Sequence, residues 1–285
     1  MNIDITSSDT KERLDSVIQR HVPRLSRSFV KRLCDEDKVL VDGKTAKAGY
    51  RLREGDRVTL QYNLAELDSI PSIELPIIYE DDDCVVINKP VGVLTHAVNE
   101  YNLEATVASF LRDRIKGLTG ERAGVVHRLD RATSGVIIGA KTPRALSFLQ
   151  KQFSQRKVKK TYIAVVKGHL RPPEAVIDMP IGRNPKAPST FRVDPNGKPA
   201  VTHYKVLRSG THNDLVELRP ETGRTHQLRV HLDQCGHPIL GDQLYGRETN
   251  SERLFLHAQQ LEITLPNKER KVFTAPTPDE FEEQL

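Results

Sequence analysis

Beyond residue 76 the chain sets short apolar runs among few helical stretches, without regular strand–helix–strand alternation. Cys84-Val85-Val86-Ile87 runs into Asn88-Lys89-Pro90, as a buried strand meets a turn. Val136 to Ala140, Tyr162 to Val166, Asp214 to Leu218 and Gln227 to Val230 read as further strands. Leu103 to Ile115 and Ala145 to Phe153 carry helical spacing. A doubly wound parallel sheet needs a helix after each strand. The pattern therefore predicts an α+β fold with a central mixed or antiparallel sheet.

The first sixty residues form a different pattern. Leu14, Val17 and Ile18 share one face of a short helix. Ser26 or Ser28 is placed to cap a second helix carrying Phe29, Val30 and Leu33. Val39 and Val41 then alternate with polar residues up to Asp42-Gly43, a tight-turn dipeptide, and Val58-Thr59-Leu60 follows Gly55-Asp56 as a strand. The order is helix, helix, hairpin, strand. Residues 63–76 hold two prolines and little periodicity, which reads as a linker. The expected division is 1–62, a linker over 63–76, and 77–285.

Charge narrows the class of partner. The 285 residues carry a net charge of +5, and 37% are hydrophobic against 28% charged, a soluble globular composition. From Arg131 to Pro173 there are ten Lys or Arg and no Asp or Glu. A second acid-free stretch runs from Ser16 to Cys34 with five basic residues. Segregated basic surface is the footprint of a polyanion binder. Trp is absent and aromatics are 5%, so a multi-base stacking platform is not indicated. No apolar run approaches the ~18–20 residues of a membrane span, and the start lacks a signal-peptide pattern. Cys34, Cys84 and Cys235 are odd in number and widely spaced, which argues against a disulfide framework or a zinc knuckle and for a reducing compartment, the cytoplasm.

Two polar segments carry the chemistry. Residues 124–135, with His127-Arg128-Leu129-Asp130-Arg131, form a polar loop between apolar runs, where functional groups tend to sit. Taken alone, a carboxylate between arginines is more often a structural ion pair. Residues 219–231 end in a polar–apolar alternation that places Gln227, Arg229 and His231 on one strand face. His226 and His231 then lie on opposite faces, so a two-histidine metal site is not expected. Ser134, His127 and Asp130 lack the strained elbow of a serine hydrolase.

The N-terminal pieces Arg13-Leu14-Asp15, Leu25-Ser26-Arg27-Ser28, Lys38 to Lys44 and Arg51 to Val58 resemble an S4 (αL-like) RNA-binding domain. That resemblance implies RNA contacts from Arg27, Lys31 and Arg32. Asp42 and Asp37 stand where the family usually has Asn and Gly. From about Ile77 onward the chain resembles the RluA-type RNA pseudouridine synthases. The pieces are Ile87-Asn88-Lys89-Pro90-Val91-Gly92, the HRLDRATSG and TGRTHQLRVHL blocks, Lys159 to Ala164, Gly236 to Asp242 with Leu244-Tyr245-Gly246, and Leu256-His257-Ala258. The resemblance implies isomerisation of uridine in RNA. The N1–C1′ bond breaks, the uracil turns, and C5 bonds to C1′, with no cofactor and no metal.

By the same resemblance Asp130 is the catalytic carboxylate, either a nucleophile at C1′ or the base that takes the 2′ proton. Arg229 is its partner. An arginine within ~4–6 Å holds a carboxylate below its usual pKa range, and so charged at neutral pH. Tyr162 is implied as a stacking partner of the uracil and a proton relay. Arg128 is implied to fill the space left by a flipped nucleotide, a step that costs a few kcal/mol. The acid-free stretch after Arg131 would meet phosphates. His127 and Gln227 are expected to order the loop, and the block glycines to serve backbone geometry.

Two other readings compete. A non-catalytic RNA-binding factor would be free to lose Asp130, Tyr162 and Arg229. A glycosidase usually needs two carboxylates about 5–9.5 Å apart, and Glu221 lies nearby in sequence as a second acid. The appended S4 domain favours ribosomal over transfer RNA as the partner. A monomer without membrane contact is expected.

Overall fold

The computed structural model describes residues 2–4, 9–22, 25, 27–63, 72–97, 104–118, 122–246 and 253–285. The chain divides into two compact units, Met1–Pro71 with Ala97–Glu104, and Ser72–His96 with Ala105–Leu285.

The first unit holds β1 (Asn2–Asp4), α1 (Leu14–His21), α2 (Arg27–Asp35), β2 (Val39–Val41), β3 (Lys44–Thr45) and β4 (Arg57–Leu60). Its sheet runs β1-β4-β2-β3, so the N-terminal residues add a strand that periodicity did not announce. Leu14, Val17 and Ile18 of α1 bury against Phe29, Val30 and Leu33 of α2 and against Val39, Val58 and Leu60. Asp42 and Gly43 both take positive φ, 49° and 77°, as a two-residue hairpin turn between right-twisted strands requires. Asp37 takes φ 58°, a left-handed conformation that its short polar side chain tolerates. Of the two candidate caps, Ser28 lies inside α2 and Ser26 lies outside the described residues.

The second unit opens with β5 (Ile77–Glu80), β6 (Cys84–Lys89), α3 (Val107–Arg112), β7 (Ser134–Ala140), α4 (Pro143–Ser154) and β8 (Lys159–Lys167). It continues with β9 (Glu174–Asp178), β10 (Ile181–Arg183), β11 (Phe191–Val193), β12 (Val201–Ser209), β13 (Asn213–Pro220) and α5 (Gln227–Gln234). Then come β14 (Leu256–Thr264), β15 (Arg270–Thr274) and a 3₁₀ helix, Asp279–Gln284. The main sheet runs β5-β6-β7-β14-β8-β13-β12-β9, with β15 on β14, and β10 and β11 pair apart. Among the described residues, the β7–β14 pairing is the one parallel pairing between strands of this sheet, so the sheet is mixed as expected. α3 begins at Thr106, whose hydroxyl accepts from Ser109 N–H while Ser109 returns the bond. The helical spacing read over Leu103 to Ile115 is thus a helix only over Val107–Arg112, and Leu103 lies outside the described residues.

One expectation is overturned. Gln227 to Val230 is the first turn of α5, not a strand. Over five residues a period of two and a period of 3.6 look alike. Leu228 and Leu232, four apart, pack with Tyr204, Val216 and Leu218, while Val230 packs with Ile181. Gln227 is tied down by accepting from Thr222 Oγ1 at 2.6 Å and Arg224 N at 3.0 Å. Helix geometry, not strand alternation, aims Arg229.

At the β7–β14 junction Gly135 has φ 113°, and a Cβ there would fall 2.2 Å from the Ala258 carbonyl oxygen. Only glycine lets the two backbones meet at this point, five residues after Asp130.

Candidate active site

A cleft of about 580 Å³ opens in the second unit. The loop from His127 to Asp130 forms one wall, Lys160 and Tyr162 of β8 another, and His226 and Arg229 at the start of α5 a third. Four of the seven residues singled out from sequence, Arg128, Asp130, Tyr162 and Arg229, line it together. The other three, Arg27, Lys31 and Arg32, are exposed on α2 of the first unit. Arg27 reaches Asp15 at 3.2 Å and Arg32 reaches Glu36 at 3.2 Å.

The loop is fixed through its backbone. Thr95 Oγ1 donates to Leu129 O at 2.8 Å and accepts from Leu129 N at 3.1 Å. Thr133 N donates to Asp130 O at 3.0 Å. The wholly buried Lys89 donates Nζ to Pro90 O and Val93 O, both at 2.9 Å, and reaches Arg131 O at 3.4 Å. Burial pulls the Lys89 ammonium down to about 8, and the Asp130 charge only partly opposes it. His127 stacks on Phe153 with centroids 4.4 Å apart and accepts Ile138 N–H on Nε2 at 3.1 Å. Loss of solvent pushes its imidazole down to about 3, so it orders the loop as a neutral ring.

Asp130 keeps its side chain partly open to the cleft. Its Oδ2 lies 3.8 Å from Arg229 Nη1 and 3.9 Å from His226 Nε2. The tight partner of Arg229 is Asp242, which takes Nε and Nη2 at 2.7 Å each. Burial disfavours the guanidinium charge, but Asp242 and then Asp130 outweigh it and hold its pKa above the ordinary value. Asp242 also accepts from Leu244 N at 3.0 Å and Tyr245 N at 3.1 Å, so one buried carboxylate orients both the arginine and the Tyr245 turn. Burial, then the Asp130 charge, raises the Tyr162 phenol, which stays protonated at neutral pH.

Asp242, His226 and Tyr245 escaped the sequence reading. The spacing presents His226 only as a candidate metal ligand. Asp242 and Tyr245 lay in matched motifs without a role, and nothing in their spacing ties either to Asp130. Five of the ten basic residues of the acid-free stretch fall into two groups. Lys141, Arg144 and Lys159 turn to Glu80, Asp83 and Glu262. Arg156 and Lys160 line the cleft. Lys160 donates to Thr222 O at 3.1 Å, and burial lowers its ammonium to about 8.

Residues 83–234, more than half the chain, match the RNA pseudouridylate synthase family, and residues 12–58 match the S4 domain. The chain belongs to the RNA pseudouridine synthases, of the RluA type. The ribosomal large subunit pseudouridine synthase D of Nitrosomonas europaea is 38% identical over 94% of this synthase and 82% of its own length. The ribosomal large subunit pseudouridine synthase C of Vibrio cholerae is 35% identical over 99% and 95%. The solved structure of human RNA Pseudouridylate Synthase Domain Containing 1 superposes with a TM-score of 0.61 at 34% identity, covering 72% of this synthase and 84% of that chain. The enzyme is an isomerase with RNA as substrate. Among its described residues no helix is long and apolar enough to cross a membrane.

Proposed function

We propose that this synthase converts uridines of large-subunit ribosomal RNA to pseudouridine, with Asp130 as the group that acts on the ribose. The observation that carries the reading is the convergence of Asp130, Tyr162 and Arg229 on one cleft. The names of the Nitrosomonas and Vibrio relatives support ribosomal RNA over transfer RNA. Asp130 Oδ attacks C1′ or removes the 2′ proton as the N1–C1′ bond breaks. Arg229 keeps the carboxylate beside a positive charge. Tyr162, a neutral phenol, offers its ring to the uracil and its hydroxyl as a donor. The C5 proton is lost and N1 gains one, so the product is an isomer. Arg128, exposed at the cleft wall, takes the place of the extruded nucleotide, its planar fork stacking on the neighbours. Arg27, Lys31 and Arg32 bind phosphates from the S4 domain. The enzyme works as a cytoplasmic monomer without cofactor or metal.

The test is pseudouridine mapping on total RNA from cells lacking the gene, complemented with wild type or Asp130→Asn. Large-subunit sites lost on deletion and restored only by wild type support the reading. Sites confined to transfer RNA would reassign the substrate. Restoration by Asp130→Asn would remove the carboxylate from the chemistry.

A further inference from the structure

We infer that His226 is a positioning residue for the catalytic carboxylate, donating Nε2–H to Oδ2 of Asp130 and leaving Oδ1 to meet the ribose. The inference rests on the proposed role of Asp130. Its starting point is Tyr245. The phenolic oxygen accepts Phe191 N–H at 2.9 Å. Nδ1 of His226 lies 2.8 Å from the same oxygen, and we assign the phenol O–H as the donor to it. A neutral imidazole with Nδ1 accepting carries its proton on Nε2. That nitrogen faces Oδ2 of Asp130 at 3.9 Å, the same oxygen that Arg229 Nη1 faces at 3.8 Å. Both separations are longer than hydrogen bonds, as catalytic contacts often are before substrate draws the groups together.

The ring has little freedom to do anything else. His226 stands at φ 55°, at the N-cap of α5. Its imidazole meets the edges of Phe191 and Tyr245, each with centroids 5.7 Å away and near-perpendicular planes. Burial, then Arg229, opposes a charge on the imidazole, with Asp130 acting the other way, and the net effect lowers its pKa. A ring present only for packing would not need a polar line from a backbone N–H through a phenol to a carboxylate. The hairpin of β10 and β11, which supplies Phe191, thus reaches the chemistry through two side chains.

The test uses single-turnover kinetics of the full-length enzyme on total RNA from the deletion strain, which holds unmodified sites in whichever RNA is the target. His226→Phe, His226→Gln and Tyr245→Phe are compared with Asp130→Asn. His226→Phe and Tyr245→Phe are expected to lower the maximal rate about 10–100-fold, the usual loss for an orienting partner. The enzyme concentration giving half the maximal rate stays within about twofold, as phosphate contacts are untouched. His226→Gln, which keeps an N–H donor, recovers most of the rate. The double variant is no worse than His226→Phe, because Tyr245 acts through His226. A wild-type rate in His226→Phe overturns the inference, as does a loss in the half-saturating concentration alone. Should His226→Phe not fold, equal and additive losses in His226→Gln and Tyr245→Phe overturn it. If Asp130→Asn is active, the proposed role of Asp130 fails instead.

Discussion

Arg229 gives Nε and Nη2 to Asp242 at 2.7 Å each and turns only Nη1 toward Asp130, 3.8 Å away. The arginine is therefore paired at two points with the buried Asp242 and only leans on Asp130, the carboxylate proposed to react. A tight two-point clamp on Asp130 itself would have tied up both its oxygens.

Asp242→Ala strands the buried Arg229 charge. Removing one partner of a buried pair typically costs about 3–5 kcal/mol. Denaturant unfolding should show a loss of that size, with turnover falling too. A loss under about 1 kcal/mol would mean that Arg229 is well satisfied without Asp242.

Lys89 links stability to pH. Its folded pKa, about 8, lies below the ordinary 10.5, so between those values the unfolded chain binds more protons. Stability from this group therefore rises as pH climbs from about 8 to 10.5, by on the order of 3 kcal/mol. Below pH 8 the buried charge costs its full amount. Wild type measured against Lys89→Met should gain over that window, and a flat difference would show that Lys89 titrates normally.

Gly135→Ala and Gly92→Ala separate contact from conformation within one unit. Both glycines have positive φ, 113° and 85°. A Cβ at Gly92 meets nothing within 4 Å, whereas at Gly135 it meets the Ala258 backbone at 2.2 Å. Gly92→Ala should cost ~1–2 kcal/mol by conformation alone. Gly135→Ala should fail to yield folded enzyme, or melt far lower. Equal melting temperatures would contradict the close approach.

On the S4 domain, Lys31→Ala should weaken RNA binding and flatten the salt dependence by one phosphate contact, about 0.7–0.9 in slope. Arg27→Ala should change the slope less, because Asp15 already faces that guanidinium at 3.2 Å. Titrations across a salt series read both. Unchanged slopes would take this helix off the RNA.

The sequence spoke clearly where one local rule dominates. Asp42-Gly43 demanded a left-handed turn, and the short, β-branched buried runs at Cys84 and Val136 are strands as read. The HRLD block announced a polar loop, and that loop lines the cleft. It was opaque where tertiary context decides. Gln227 to Val230 satisfies two periods, and the packing of Leu228 and Leu232 selects the helix. Asp242 lies 13 residues from the arginine it holds and 112 from Asp130, so no spacing rule connects them. The link from Tyr245 to His226 depends on a backbone N–H at Phe191, which no side-chain pattern records.

The parallel seating of β14 against β7, with β8 on its other flank, has a consequence for synthesis on the ribosome. Asp130 emerges 126 residues and Tyr162 94 residues before Leu256. Until that segment arrives, β7 and β8 have no common neighbour, and each presents an open edge of unpaired N–H and C=O groups. The nascent chain thus carries both halves of its cleft before it can join them, while the S4 residues, made first, need nothing from the later chain for the strand pairing of their sheet. Ribosome-arrested chains ending before residue 256 should be cut by protease within the second unit and spared in the first, and equal protection of both would show that the halves join without β14.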